Sequence, residues 1–219
     1  MSSKIQLIIF DLDGTLVDSK YDLAAALTYA LEPHGAGPVH AEDIPPLLGS
    51  GLGALLRMSL PTADEGVLAN ARQRFNAYYD AHTADLSPLY PGVRETLQQL
   101  HSVKKAVFSN KVHVFTGQIL RQLQLDSYFD LSIGAQPDKY PLKPAPDGIR
   151  YILDQLGVAP GQTLMVGDST HDLEAARAAG VRSCAVTYGY RPAEALRAHQ
   201  PDFMVDSFEE ILAIVAGFA

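Results

Sequence analysis

The chain has 219 residues, of which 47% are hydrophobic and 19% charged, and its formal net charge is −8. This composition predicts a folded protein with a sizeable apolar core, built as one large domain or as a core domain with an insertion. The negative charge argues against a nucleic-acid binder and against binding to an anionic membrane, because both need a basic face.

Two further features bear on location. Cys184 is the only cysteine, so no intrachain disulfide can form, and we expect a reducing, cytoplasmic environment. The first residues lack the basic-then-apolar pattern of a signal peptide. The apolar stretch 211–219 is too short to cross a bilayer and is interpreted as the buried face of a terminal helix.

Short apolar segments recur along the chain and are predicted to be strands. They cover residues 5–10, 105–109, 131–134, 163–167, 183–187 and 203–205. Several are apolar throughout rather than alternating, which is typical of parallel strands covered on both faces. Helical patterns at 92–101, 112–125 and 170–179 lie between them. This alternation predicts an α/β fold with a parallel sheet and right-handed crossovers.

The region from residue 19 to residue 88 has a different pattern. It contains no convincing strand, and helices are predicted at 21–31, 52–60 and 65–83, with Pro and Gly marking the joins. The stretch "SPLYPGV" at 87–93 leads back to strand–helix alternation. The sequence therefore predicts a core domain of residues 1–18 and 88–219, interrupted by an all-helical insertion of residues 19–87.

Polar side chains follow several of the predicted strands. Ligands of open parallel sheets bind beyond the carboxyl ends of the strands, so we expect these side chains to converge at one edge. They are Asp11 and Asp13 after the first strand, Ser109, Asn110 and Lys111 at the end of the second, Lys139 and Lys143 before the fourth, and Asp168 and Asp172 after it.

Two of these acids raise an electrostatic problem. Two carboxylates about 4 Å apart repel by roughly 4 kcal/mol at an effective dielectric constant near 20. Asp11 and Asp168 can therefore both stay ionised at low cost only beside a cation. A hard divalent ion such as Mg²⁺ binds one or two carboxylates together with water and substrate phosphate oxygens. Such an ion, with a lysine, also supplies the positive charge that an anionic substrate would need in an acidic protein.

Four motifs in this order resemble those of the haloacid dehalogenase superfamily of phosphatases. They are "DLDGTL" at 11–16, "FSNK" at 108–111, "KPAP" at 143–146 and "VGDSTHD" at 166–172. The resemblance covers the whole core domain and implies a Rossmann-like sheet. It also implies that the helical insertion is a small mobile cap, and that Mg²⁺ is the cofactor.

The resemblance assigns the acids to separate roles. Asp11 corresponds to the nucleophile, which forms an aspartyl-phosphate. Asp13 corresponds to the general acid that protonates the leaving group and then activates water. The carboxylates of Asp11 and Asp168, with the backbone carbonyl of Asp13, correspond to the metal ligands. Asp172 corresponds to a supporting residue that orients Lys143 or a metal-bound water rather than binding the metal directly.

The remaining motif residues correspond to a phosphate-binding set. Ser109 would donate a hydrogen bond to a phosphoryl oxygen, helped by the amide of Asn110. Lys143 would offset the negative charge of the phosphoryl group and of the nucleophile. Phosphoryl transfer asks mainly for this kind of positioning and charge neutralisation.

Other polar residues are given less specific interpretations. Lys139 is expected to be a solvated loop residue, and His171 to be exposed despite its place in a motif. Asp18 is expected to cap the first helix of the insertion, and a place in the site is the alternative. For Lys111, contact with the site and a turn-capping role remain equally open. Arg57 is expected on the surface of a helix, although a grip on a substrate carboxylate is the alternative.

The substrate is indicated only by a narrower resemblance. The stretches "DLDGTLVDSKYDLAAAL", "YPGV", "AARAAGV" and "VTYGY" resemble the phosphoglycolate phosphatase group, which implies a small phosphorylated metabolite as partner. The group often has Gly-Asn where Gly49-Ser50 stand, and Arg-Asn where Thr170-His171 stand. Pyrophosphatase, nucleotidase and sugar-phosphate phosphatase activities remain alternatives, and the chain is expected to be a monomer or a homodimer.

Other functions are disfavoured by single positions. A dehalogenase would not need Asp13 or Asp168. A sugar phosphomutase of this superfamily typically has a histidine near the position of Leu23. A phosphonate hydrolase needs a lysine in the cap, where Lys20 is the only one. A non-catalytic binding module would not need the complete set of acids and lysine.

Overall fold

The computed structural model describes residues 4–60 and 64–217, and a parallel sheet lies at its centre. Its strands are β1 (Leu7–Phe10), β2 (Lys104–Val112), β3 (Leu131–Ala135), β4 (Thr163–Gly167), β5 (Arg182–Val186) and β6 (Phe203–Val205). They are hydrogen-bonded in the order β3-β2-β1-β4-β5-β6, every neighbouring pair parallel. The predicted α/β class is confirmed.

The strand predictions hold with small shifts of boundary, and one shift matters for the site. β2 continues three residues beyond the predicted end and its pairing with β3 is irregular between Phe108 and Val112. Ser109 and Asn110 therefore lie within this irregular end of β2 rather than in a loop after it.

Helices cover both faces of the sheet. The first three, α1 (Lys20–Leu31), α2 (Gly51–Ser59) and α3 (Glu65–Ala81), form the insertion between β1 and the rest of the sheet. They are followed by α4 (Val93–Gln99), α5 (His113–Gln122), α6 (Asp147–Leu156), α7 (Thr170–Ala179), α8 (Ala193–Ala198) and α9 (Ile211–Ala216). The sequence analysis did not predict α6 or α8. The last two residues of the predicted terminal helix lie outside the described part of the chain.

Apolar side chains pack on both faces of the sheet. Ile8 and Phe10 of β1 belong to one buried cluster, which also takes in side chains of α1 and α3 such as Leu27 and Phe75. Ile9 belongs to a second cluster with Ile149 of α6. The helices of the insertion thus share one apolar cluster with the face of the sheet that carries Ile8 and Phe10. Within the described residues, none of the helices has the length and apolarity needed to cross a membrane.

The order of the strands determines where polar groups can meet. From β1 the chain proceeds to β2 and β3 on one side, and returns to β4, β5 and β6 on the other. The carboxyl ends of β1 and β4 therefore flank the switch point of the sheet, where open α/β folds bind ligands. Asp11 follows β1 and Asp168 follows β4 directly, so the topology brings these two acids together.

Candidate active site

The turn after β1 places the first two acids. The backbone N–H groups of Leu16 and Val17 both donate to the carbonyl of Leu12, at 2.9 and 3.0 Å, and this tightens the chain at once after the strand. Gly14 has φ +84°, and a Cβ there would lie 2.3 Å from Oδ2 of Asp168. A residue without a side chain is therefore required for Asp168 to approach the turn.

Lys143 is enclosed between two carboxylates. Its Nζ lies 2.9 Å from Oδ1 of Asp11 and 2.6 Å from Oδ1 of Asp172, and it also donates to the carbonyl of Phe108 at 2.8 Å. Burial lowers the pKa of Lys143, but the two carboxylates outweigh that effect and raise the pKa above its ordinary value. The lysine is charged and holds Asp11 in a fixed orientation.

The Asp172 carboxylate has a second set of contacts that fixes its position. Its Oδ2 accepts hydrogen bonds from the backbone N–H of Ser169, at 3.0 Å, and from the Ser169 hydroxyl, at 2.6 Å. The backbone N–H of Asp172 in turn donates to the Ser169 hydroxyl oxygen at 3.4 Å, which completes a capping box at the start of α7. Asp172 thus bonds to the N-cap residue with one oxygen and to Lys143 with the other, and the orienting role expected for it stays a prediction.

Three carboxylates gather at the switch point. Asp11, Asp168 and Asp172 can each offer an oxygen within 4.8 Å of the others, and all three are buried. Burial raises the pKa of Asp11 to about 7, with Lys143 opposing the rise. Burial, with the nearby charge of Asp11, also raises the pKa of Asp168 well above its ordinary value. Both groups are thus unfavourable as anions even with the Lys143 ammonium beside Asp11, and hard oxygen donors of this kind suit Mg²⁺.

The second acid of the turn has a different environment. Oδ1 of Asp13 accepts a hydrogen bond from the Ser19 hydroxyl at 2.5 Å, and Oδ2 lies 3.1 Å from Nζ of Lys111. Lys111 itself is buried and lies over the ring of Tyr79 from α3, 4.9 Å from its centroid. The question left open for Lys111 is therefore answered: its ammonium group reaches the site.

The expectation that Asp18 caps α1 is wrong. The N-cap position is occupied by Ser19. Asp18 instead pairs with Lys20 at 2.9 Å and accepts a hydrogen bond from the hydroxyl of Tyr190, also at 2.9 Å. The same hydroxyl accepts a hydrogen bond from the backbone N–H of Ser19 at 2.9 Å. Tyr190, which was not singled out from the sequence, thus fixes the segment that carries Ser19 beside Asp13.

Two of the predicted phosphate-binding residues, Ser109 and Asn110, lie together on β2. Ser109 and Asn110 are 2% and 7% exposed and line the same cavity as Asp11 and Lys143. The Ser109 hydroxyl oxygen accepts a hydrogen bond from the backbone N–H of Lys111 at 3.1 Å, which leaves the hydroxyl hydrogen available to a ligand. The side chain of Asn110 bonds to protein groups, and its role as a direct phosphate contact stays a prediction.

A cavity opens above these groups. On the core side it is lined by Arg191 after β5 and by Asp11, Asp13, Ser109, Lys111, Lys143 and Asp168. On the insertion side the lining is mostly apolar: Leu23, Pro45, Leu47, Leu48, Leu52, Leu55, Phe75 and Tyr79. The cavity has a volume of about 70 Å³. The cavity is therefore polar on the core side and apolar on the insertion side, and it has room for a small ligand.

The other polar residues are located as follows. His171 was expected to be exposed, but it is half-buried beside the cavity, and its Nδ1 has no hydrogen-bond partner among the described residues. The reason is that the insertion folds over the start of α7, which sequence spacing does not reveal. Lys139 is exposed, as expected. Arg57 is 55% exposed and pairs with Glu65 at 2.9 Å, away from the cavity, as expected for a surface residue.

The fold and site define an α/β enzyme core in which a pair of acids in one turn meets a buried lysine beneath a helical insertion. A family model described as haloacid dehalogenase-like hydrolase matches residues 8–186. The chain therefore belongs to the haloacid dehalogenase-like hydrolases. The family resemblance predicted from the four motifs is confirmed, and so is the prediction that the chain is a hydrolase.

Relatives and solved structures agree over nearly the whole length. The chain is 37% identical to a phosphoglycolate phosphatase of Aliivibrio fischeri, with 99% of each chain covered. It is 38% identical to one of Pectobacterium atrosepticum, over 96% of this chain and 92% of the other. The crystal structure of a predicted phosphoglycolate phosphatase from Haemophilus somnus superposes with a TM-score of 0.91, at 31% identity, covering 98% of this chain and 99% of that one.

Proposed function

We propose that this hydrolase is a Mg²⁺-dependent phosphomonoesterase that acts in the cytoplasm on a small phosphorylated metabolite of the phosphoglycolate kind. One observation carries the proposal. Two acids of a single turn have different partners, Asp11 beside Lys143 and Asp13 beside Lys111 and Ser19. Hydrolysis through a covalent intermediate needs one carboxylate to attack and a second one to move a proton. The phosphoglycolate phosphatases among its relatives support the substrate class.

The cofactor would be held by the carboxylates of Asp11 and Asp168, with the backbone carbonyl of Asp13. Their crowding and the raised pKa values of both carboxyl groups support a cation at this position. When bound, Mg²⁺ would offset the negative charge that gathers on the phosphoryl oxygens. Asp172 would act as a supporting residue, since one of its oxygens is already bonded to Lys143.

In the first step, a carboxylate oxygen of Asp11 attacks phosphorus and the bond to the leaving oxygen breaks. Oδ1 of Asp11 is occupied by the backbone N–H of Leu12, at 2.7 Å, and by Lys143, so Oδ2 is the oxygen that is free to attack. Ser109 donates its hydroxyl hydrogen to a phosphoryl oxygen, and Lys143 balances the charge of the phosphoryl group. The product of this step is an aspartyl-phosphate at Asp11.

Asp13 transfers the protons of both steps. It gives a proton to the leaving oxygen in the first step and takes one from the attacking water in the second. Ser19 and Lys111 hold its two oxygens in place, so that the carboxyl group keeps the same position for both transfers. The second step returns Asp11 to its free form and releases phosphate.

Residues 19–87 would act as the cap of the core formed by 1–18 and 88–219. Its contribution to the cavity is apolar, which would exclude water around the scissile bond and restrict the leaving group to a small molecule. Leu23, at the position where a histidine would favour a phosphomutase, is buried and lines the cavity. This supports hydrolysis over transfer to a second sugar position.

The proposal is tested by substituting the attacking residue. Asp11→Asn should abolish the hydrolysis of p-nitrophenyl phosphate in the presence of Mg²⁺ while the circular dichroism spectrum stays that of the wild type. Activity retained by this variant would overturn the mechanism. A panel of phosphoglycolate, pyrophosphate, nucleoside monophosphates and sugar phosphates, compared by kcat/KM, should rank phosphoglycolate first. A higher value for any other compound would replace the substrate assignment.

A further inference from the structure

The side chain of Asn110 is held by three hydrogen bonds to the protein. Its Oδ1 accepts the backbone N–H of Lys143 at 2.8 Å, and its Nδ2 donates to the backbone carbonyl of the same lysine at 2.9 Å. Nδ2 also donates to the carbonyl of Gly49 at 2.6 Å. Asn110 thus joins β2 to two separate loops, one from the core and one from the insertion.

These contacts leave the side-chain amide no donor for a substrate. An asparagine amide has two N–H donors, and both are used by the carbonyls of Gly49 and Lys143. A direct bond from this side chain to a phosphoryl oxygen would require one of the two protein bonds to break. Direct phosphate binding by the amide group is therefore the weaker assignment for Asn110.

The bonds to Lys143 fix both polar atoms of its backbone. The ammonium group at the other end of the residue is fixed independently, by the carbonyl of Phe108 at 2.8 Å and by the carboxylates of Asp11 and Asp172. Phe108 lies two residues before Asn110 on the same strand. Two residues of β2 therefore bind Lys143, Asn110 at the lysine backbone and Phe108 at the lysine ammonium group. Together they fix the ammonium group beside Asp11.

The bond to Gly49 reaches the loop of the insertion that forms part of the cavity. Arg191 holds the preceding residue of this loop, since its Nη2 donates to the carbonyl of Leu48 at 2.6 Å. Gly49 has φ +107°, and a Cβ on it would lie 3.1 Å from Nδ1 of His171. Two successive carbonyls of the loop are thus bound by two core side chains, but only Asn110 is also bonded to Lys143.

We propose that Asn110 is a positioning residue that couples the 48–49 loop of the cap to the alignment of Lys143. This inference rests on the proposed phosphatase function, since it concerns the lysine of that site. With the loop in contact, Asn110 is held on both sides and Lys143 is fixed beside Asp11. With the loop withdrawn, Asn110 loses its bond to Gly49 and the lysine backbone is held less tightly. Contact between the cap and a substrate would in this way be linked to the rate of the chemical step.

Arg191 provides a matched control, because it binds the same loop without contacting Lys143 in the structure. Asn110→Ala releases the carbonyl of Gly49 and Arg191→Ala releases that of Leu48, so both should raise KM for phosphoglycolate. Arg191→Ala leaves the bonds from Asn110 to Gly49 and Lys143 in place. Only Asn110→Ala should also lower kcat, by about tenfold to a hundredfold, the range expected when a catalytic group is misplaced. A kcat of Asn110→Ala equal to that of the wild type, measured with Mg²⁺ at saturation, would overturn the inference.

A second measurement does not depend on turnover. The amide hydrogen of Lys143 is bonded to Asn110, so its exchange with deuterium should be faster in Asn110→Ala and unchanged in Arg191→Ala. Unchanged exchange in both variants would contradict the positioning role. If Asn110→Ala does not fold, Asn110→Asp replaces it, because its carboxylate cannot donate to either carbonyl, and kcat should again fall at least tenfold. A wild-type protein inactive on every phosphoester would overturn the proposed function instead, while the exchange result would still report on the contact.

Discussion

The crowding of acids at the switch point predicts an unusual effect of removing one charge. We expect Asp11→Asn, which abolishes the proposed catalysis, to stabilise the metal-free protein at alkaline pH. Asn can keep the hydrogen bonds that Oδ1 of Asp11 accepts from Leu12 and Lys143, because its own oxygen can take that position. The amide nitrogen then replaces Oδ2, and a buried negative charge near Asp168 is lost.

The magnitude follows from the pKa of Asp11. Burial raises it from 3.8 to about 7. A group whose pKa is raised by folding stabilises the folded state below its unfolded pKa, and that contribution is lost as the pH rises through its folded pKa. At about 1.4 kcal/mol per pKa unit, ionised Asp11 costs the fold up to about 4 kcal/mol at pH 8 and little at pH 4. For a chain of this size the difference corresponds to a melting temperature higher by about 8–16 °C.

The measurement is thermal unfolding by scanning calorimetry in excess EDTA, at pH 5 and at pH 8. The gain in melting temperature of Asp11→Asn over the wild type should be larger at pH 8. Addition of Mg²⁺ should stabilise the wild type at pH 8 and reverse the order of the two proteins. The exposed residue Asp154 offers a control, since Asp154→Asn should leave the melting temperature unchanged at both pH values. A variant less stable than the metal-free wild type at pH 8 would refute the argument that these carboxylates are strained without a cation.

Three further predictions concern single positions. Gly14→Ala would place a Cβ 2.3 Å from the Asp168 carboxylate and should lower kcat/KM at least a hundredfold. Gly35 is the control, because it has a similar positive φ of +78° with open space around it. Gly35→Ala should therefore lower stability by about 1 kcal/mol and leave kcat/KM unchanged. In stopped-flow assays with p-nitrophenyl phosphate, Asp13→Asn should give a burst of p-nitrophenol of no more than one equivalent followed by slow turnover, because the aspartyl-phosphate forms with this good leaving group but is not hydrolysed; full turnover would remove Asp13 from the second step. Arg57→Ala should leave KM for phosphoglycolate within twofold, and a tenfold rise would show that this exposed side chain reaches the substrate.

Much of the core could be predicted from sequence because its signals are local. Buried parallel strands are short apolar segments, and the acids that follow them are visible as polar residues at the ends of those segments. Asp11 and Asp168 were paired on this basis, and the sheet order brings them together as expected. α6 was missed although Ile149, Ile152 and Leu153 give it a buried face, since its first turn begins with Asp147 and Gly148 directly after a proline-rich loop.

Contacts between the insertion and the core could not be predicted in the same way. The burial of Lys111 depends on the ring of Tyr79, which lies in α3, more than thirty residues earlier in the chain. His171 is half-buried because the loop at Gly49 folds over it. Asp18 was expected to cap a helix because it precedes one, but the hydroxyl of Tyr190, from the far end of the chain, binds it instead.

The sequence by itself determined the class of the fold and the positions of acids and a lysine at the edge of the sheet, and it predicted a cation among them. These follow from hydrophobic pattern, residue type and the repulsion of like charges, which act at the level of single segments. Only the tertiary structure decided which lysine serves which acid. Lys143 lies beside Asp11, Lys111 lies beside Asp13, and Asn110 bonds to the cap loop rather than lying free for a ligand. Such pairings depend on distances between segments that are far apart in the chain, and those distances exist only after the sheet and the insertion have packed together.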